Sequence, residues 1–189
     1  TELSDGTYSA SEITAKITEN DGLGEARYWK VATDNDIILV NSAGNYGFAH
    51  SGDPGIWAVE ENADGTLVLG GKMVIVGNWD GANVSGNKAG HVCLNIDTIN
   101  NVCNDNHRLN EFYILAPGTD IQSTISGDRY MSGSGTSYAA PHVTGAFGVL
   151  NQMWPYMQGD KLVKLVMNTA DKNLPGYNVN IHGQGLLDL

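Results

Sequence analysis

A serine becomes a nucleophile toward a carbonyl when its hydroxyl sits at a constrained turn. It also needs N–H donors aimed at the oxygen that turns negative, and a base beside the hydroxyl. The stretch SGSGTSYAAPHVTG, Ser132 to Gly145, offers the first two around Ser137. Gly133, Gly135 and Thr136 before it, with Ala139 and Ala140 after it, leave room for a substrate backbone to come close. The apolar spacing that follows predicts a helix, and the first turn of a helix carries free N–H groups at the positive end of its dipole. Ser and Thr are also preferred helix caps, and on these residues alone capping is the ordinary role.

The elements that must position this serine can be read outward from it. The helix is expected from Tyr138 to Trp154, with Val143, Phe147, Leu150 and Trp154 on one face and Pro141 in the first turn, where a missing N–H is tolerated. A further helix is expected from Lys161 to Ala170, capped by Asp160, with Leu162, Leu165 and Val166 inward. Three continuous apolar runs read as buried parallel strands: Ile37 to Val40, Met73 to Val76 stopped by Gly77, and the run in EFYILAPG stopped by Pro117 and Gly118. GEARYWKVATDN reads as a helix feeding the first strand, SASEITAKITEN as a shorter one before it, and HGQGLLDL as an extended tail. Strands alternating with helices give an α/β fold with a largely parallel sheet.

GTSYAAPHVTGAFGVL resembles the active-site serine motif of the subtilisin-like serine proteases, the subtilases. Gly135, Thr136, Ser137, Ala139, Pro141, His142, Val143 and Gly145 all match its fixed positions. VNSAGNYG resembles the strand and turn that carry the family's oxyanion-hole asparagine, which falls on Asn45; alone, Asn45 reads as a left-handed turn residue. ILAPGTDIQST resembles the segment between those motifs, and GQGLLDL the strand that closes the catalytic domain. The resemblance implies a three-layer subtilisin-like fold, incomplete at its N-terminal side, with residues 1–189 forming the C-terminal portion of one catalytic domain. It implies a serine endopeptidase acting on protein or peptide substrates. Ser137 would be the nucleophile and Asn45 the oxyanion-hole residue, with Gly44, Gly135 and Thr136 contacting substrate. Calcium enters by resemblance alone, and no ligand loop stands out for it. Insertions around the cysteines resemble the bacterial autotransporter branch.

The resemblance also exposes a deficit. Subtilases carry an Asp and a His ahead of the Ser, the His in an H-G-T-x-V-A-G string that this sequence lacks. His50 and His107 lie in polar stretches, His91 adjoins Cys93, His142 is a structural position of the serine motif, and His182 is in the tail. LSDGTY echoes the aspartate motif at Asp5 only faintly, because Leu3 alone stands for the apolar strand that should precede it. Both missing residues belong upstream of Asn45, so one N-terminal loss accounts for both. That loss would strip strands from the sheet and leave parallel edges exposed. A companion segment carrying His and Asp is therefore expected, either a nicked N-terminal piece or more of the same chain. The alternatives are a subtilase-like domain kept for binding or assembly, and an unrelated α/β domain whose GTS only caps a helix.

Bulk properties bound these readings. The 189 residues suit one domain; 41% hydrophobic and 16% charged residues describe a globular chain, and 24 glycines suit a turn-rich α/β protein. A formal charge of −11 leaves no basic stripe for nucleic acid. No apolar run approaches the length of a membrane span. The absence of an initiator Met suggests a trimmed product. Cys93 and Cys103, without metal-ligand spacing around them, are expected to form a disulfide, the other reading being two free thiols. A disulfide favours an oxidising location: secreted, periplasmic or cell surface.

Overall fold

The structure, a computed structural model, describes residues 23–45, 52–81, 96–97, 102–103 and 108–188. Its centre is a parallel sheet of β1 (Leu39–Ser42), β2 (Met73–Trp79) and β5 (Tyr113–Pro117), in the order β1-β2-β5. The register pairs Leu39 with Met73 and Ile75 with Tyr113. All seven residues of β2 are buried, as a strand paired on both edges and covered by helices requires. Gly77 does not end this strand, contrary to the expectation from sequence: Gly77 pairs with Leu115 and the ladder runs on to Trp79, paired with Pro117. Glycine inside a buried strand marks a crowded spot rather than a stop. The first strand starts at Leu39 rather than Ile37, because the turn at Asp36 takes a left-handed φ of 63° and leaves Ile37 exposed.

Helix α1 (Leu23–Asp34) leads into β1, and α2 (Gly52–Val59), unforeseen from the sequence, packs on β2. The two-residue strands β3 (Ile96–Asp97) and β4 (Val102–Cys103) form an antiparallel ribbon. After β5, a hairpin of β6 (Ile121–Ile125) and β7 (Arg129–Gly133), also unforeseen, leads to the serine helix α3 (Thr136–Met153). α3 lays Thr136, Ala139, Val143, Ala146, Phe147 and Leu150 onto the sheet, a spacing of three and four that makes one continuous stripe. Each large apolar side chain so buried contributes about 1.5–3 kcal/mol.

Three expectations about the helices change. α3 begins at Thr136, so Pro141 falls in its second turn, where it has no N–H to give the Ser137 carbonyl. Trp154 lies past the last turn and is exposed instead of joining the apolar face. α4 (Gly159–Thr169) starts before Asp160, which sits in its first turn rather than capping it; its buried stripe is Leu162, Val163, Val166 and Met167. The tail is not simply extended. It forms a short helix α5 (Val179–His182), then runs beside β5, where the Leu115 N–H donates to the Gly185 carbonyl and the Leu187 N–H to the Leu115 carbonyl. The early helix around Ile13 and Ile17, and Asp5, His50, His91, Cys93 and His107, lie outside the described residues. So does the side chain of Cys103, and with it the disulfide. The insertions that suggested the autotransporter branch fall largely there too.

Candidate active site

The site lies at the C-terminal ends of the parallel strands, where β1 runs into Gly44 and Asn45 and where β5 runs into Gly118. Gly135, the N-cap of α3, has φ 152° and donates its N–H to the Gly118 carbonyl at 2.7 Å. A side chain at Gly135 would also press on Asn45, since a Cβ there would stand 3.0 Å from Asn45 Oδ1. Gly118 is confined in turn: a Cβ would meet Asn78 Oδ1 and the Gly135 carbonyl. Asn78, wholly buried at the end of β2, donates through Nδ2 to Thr119 Oγ1 at 3.0 Å. This buried polar chain, from Asn78 to the Gly118–Thr119 turn to Gly135, fixes where α3 begins. The sequence reading missed Asn78; its signal was a polar residue closing an apolar strand.

Thr136 is also wholly buried. Its N–H donates to Asn45 Oδ1 at 2.9 Å, and its hydroxyl lies 3.1 Å from that oxygen and 3.2 Å from the Gly44 carbonyl. The amide of Asn45 is thereby oriented. Its oxygen is engaged by Thr136, and the other end of the amide is a donor, Nδ2. Asn45 itself is exposed, as is Gly44, which holds the left-handed φ of 94° that the turn after β1 requires.

Ser137 comes next and is exposed. The N–H groups of Tyr138 and Ala139 both reach the Gly135 carbonyl, whereas the N–H of Ser137 has no acceptor among the described residues. One free N–H, one exposed hydroxyl and one oriented side-chain amide therefore meet at the start of α3. That set can hold an oxyanion formed by attack of Oγ on a carbonyl.

Neither described histidine serves this hydroxyl. His142, on the exposed side of α3, has Nδ1 3.0 Å from the Tyr138 carbonyl. His182 is buried against Trp79 and Tyr177, and its Nδ1 accepts the Asn178 N–H at 3.0 Å. Among the described residues no group of three or more His, Cys, Asp or Glu is placed to hold a metal ion. A cavity of about 230 Å³ lies at the opposite end of the sheet, lined by Leu67, Phe112, Met167 and Lys164 among others. Its rim holds Arg108, which Glu111 and then Glu61 keep firmly protonated.

Comparison with known proteins gives the family and the fold. The profile of the subtilase family matches residues 5–185. Subtilisin BL of Lederbergia lenta is 37% identical over 75 residues, which is 40% of this chain and 27% of that protein. The extracellular serine protease of Serratia marcescens is 35% identical over 101 residues, 41% of this chain and 10% of the relative. The prenylagaramide maturation protease PagA overlays with a TM-score of 0.64 at 17% identity, covering 98% of this chain and 68% of its own. The self-cleaved protease domain of PatA overlays with a TM-score of 0.57 at 21% identity, covering 84% of this chain and 49% of its own. The chain thus spans about half of the PatA domain and a smaller share of the sequence relatives.

Proposed function

The chain belongs to the subtilase family, and from that premise we propose that it is the C-terminal portion of a serine endopeptidase catalytic domain with Ser137 as nucleophile. One observation carries the reading: a Ser137 N–H with no acceptor among the described residues stands beside an Asn45 amide whose oxygen Thr136 already occupies. In the forward step Ser137 Oγ bonds to the scissile carbonyl carbon while a base takes its proton. The carbonyl oxygen becomes an oxyanion, held by the Ser137 N–H and Asn45 Nδ2. Collapse breaks the peptide C–N bond, the amine leaves with the proton, and water then releases the acyl group from Ser137 by the reverse sequence. Gly44, exposed, presents backbone to the substrate, whereas Gly135 is buried with both its backbone groups engaged and shapes the site from within. Thr136 acts from beneath, holding Asn45.

The base and its carboxylate partner belong, by the family's motif order, to a companion segment upstream of Asn45. The substrate is a protein or peptide, and the working location is secreted, periplasmic or cell surface. Among the described residues no helix is long and apolar enough to cross a membrane. The experiment is fluorophosphonate labelling of two forms, the 189-residue chain alone and the chain extended by its encoded upstream sequence. The expected result is labelling at Ser137 in the extended form and none in the short one. An extended form that contains both motifs yet stays unlabelled refutes the protease reading in favour of a binding or assembly domain. Strong labelling of the short form refutes the missing base.

A further inference from the structure

The strand β2 reads MVIVGNW and is buried throughout, yet its sixth residue is an amide, Asn78. A buried amide costs free energy unless it is bonded, so an apolar side chain would be the plainer choice in a strand covered on both faces. Among the described residues two polar ones are wholly buried, Thr136 and Asn78, and both lie at the start of α3 or directly behind it. Thr136 holds the amide of Asn45. Asn78 bonds instead to the turn after β5, where Thr119 Oγ1 accepts from its Nδ2.

That turn touches α3 directly. The Gly118 N–H prolongs the ladder by donating to the Trp79 carbonyl at 3.3 Å, while the Gly118 carbonyl accepts from Gly135. A Cβ on Gly118 would meet Asn78 Oδ1, the Gly135 carbonyl and the Ala139 side chain together. Gly118 thus lies where the Asn78 amide and the first turn of α3 converge, with no room between them for a methyl group. The Gly135 carbonyl accepts the N–H groups of Tyr138 and Ala139 at 3.0 and 3.3 Å. Those two bonds set the tilt of the peptide groups in that turn, the one carrying the Ser137 N–H included.

We propose that Asn78 is a positioning residue for the oxyanion site: by fixing the Gly118–Thr119 turn against the first turn of α3, it sets the direction of the Ser137 N–H. The proposal rests on Ser137 being the nucleophile. The two oxyanion donors are then aimed by separate devices. Thr136 aims the Asn45 amide from the β1 side, and Asn78 aims the backbone N–H from the ends of β2 and β5. A hydrogen bond weakens steeply as its angle closes, so a tilted first turn loses the oxyanion without loosening the rest of the substrate. The signature is a fall in kcat at constant KM, as for any contact made only in the transition state.

The test uses the full natural chain, upstream sequence included, and a peptide substrate. Asn78→Leu is expected to lower kcat about ten- to a hundredfold with KM unchanged, the scale of a small misplacement of reacting groups. Thr119→Val, at a half-buried position, should do the same and carries the test if Asn78→Leu fails to fold, whereas Thr119→Ser keeps the hydroxyl and should keep the rate. On an Asn45→Asp background Asn78→Leu should lower kcat by the same factor again, because the two act on different donors. A spectroscopic readout needs no turnover: the Ser137 amide resonance should shift in Thr119→Val and stay in place in Asp36→Asn, which is destabilised elsewhere. Parent-like kcat in folded Asn78→Leu or Thr119→Val overturns the proposal, and so does a loss that vanishes on the Asn45→Asp background. A parent chain that cleaves no peptide and takes no fluorophosphonate overturns the protease reading and the proposal with it.

Discussion

At the start of α4 the first free N–H meets a carboxylate, while at the start of α3 the N–H of Ser137 meets no acceptor among the described residues. Neither helix is capped by its own N-cap side chain. α4 is capped from far away: the Gly159 N–H donates to both oxygens of Asp36, at 3.0 and 3.1 Å, and Lys72 Nζ lies 3.0 Å from the same carboxylate. α3 receives an acceptor of comparable reach, Asn45, but the bond goes to Thr136 and stops one residue short of Ser137, the proposed nucleophile. Both starts are held by a side chain from the loop around β1. One is closed, which stabilises the fold, and the other is left open by a single donor, which is what an oxyanion needs. On the proposed reading, the difference between them separates a capping residue from a catalytic one.

That contrast can be broken at several points. The largest effect is expected from Ser137→Ala in the full chain, a fall in kcat of roughly 10⁶ measured on a peptide substrate, with the urea midpoint unchanged because the hydroxyl carries no structural bond among the described residues. Asn45→Asp is the sharper probe. It keeps an oxygen for Thr136 and removes the Nδ2 donor, so kcat should fall by about 10²–10³ while the melting temperature stays near the parent's. Asn45→Ala should match that fall and also lose stability. Gly135→Ala forces a side chain onto φ 152° and against Asn45 Oδ1, so a loss of about 1–3 kcal/mol in urea unfolding is expected, with kcat falling as Asn45 shifts.

The smallest effect belongs to the closed start. Asp36→Asn should cost about 1 kcal/mol in urea unfolding, at the modest end because the side chain is half-exposed, and leave the chemistry at Ser137 otherwise intact. Lys72 first, then the Gly159 N–H, hold the Asp36 carboxyl below the usual carboxylate value. Its folded pKa is therefore lower than its unfolded one. The stabilisation is complete above the unfolded value and is lost as pH falls through the folded value. Acid titrations of parent and Asp36→Asn should thus converge below the ordinary carboxylate range and part above it.

Much of this contrast was legible at the open end and little at the closed one. Ser137, Asn45 and Gly135 were marked by strings that resemble the subtilase motifs; on their own they read as a helix cap and a left-handed turn. The strands of the sheet announced themselves as unbroken apolar runs. Asp36 left no such mark, because its partner Gly159 is brought near only by tertiary packing. Asp160, the local candidate, was preferred for α4 on propensity and lost to a carboxylate already in place. Gly77 misled for a related reason: a glycine flags either an end or a tight fit, and only the neighbouring strand β5 decides between them. The β6–β7 hairpin was hidden in polar residues with no alternation to read.

The clasp between Asn45 and Thr136 also bears on when the proposed site would take shape. Its two ends are 91 positions apart in the chain, and those of the Asp36–Gly159 cap are 123 apart. Closing loops of this length costs entropy that no local turn repays, so such contacts form late in folding, after the sheet between them has assembled. Until then Asn45 has no fixed direction and the start of α3 has no fixed place. On the proposed reading, a half-folded or newly synthesised chain would hold the serine without the geometry that activates it.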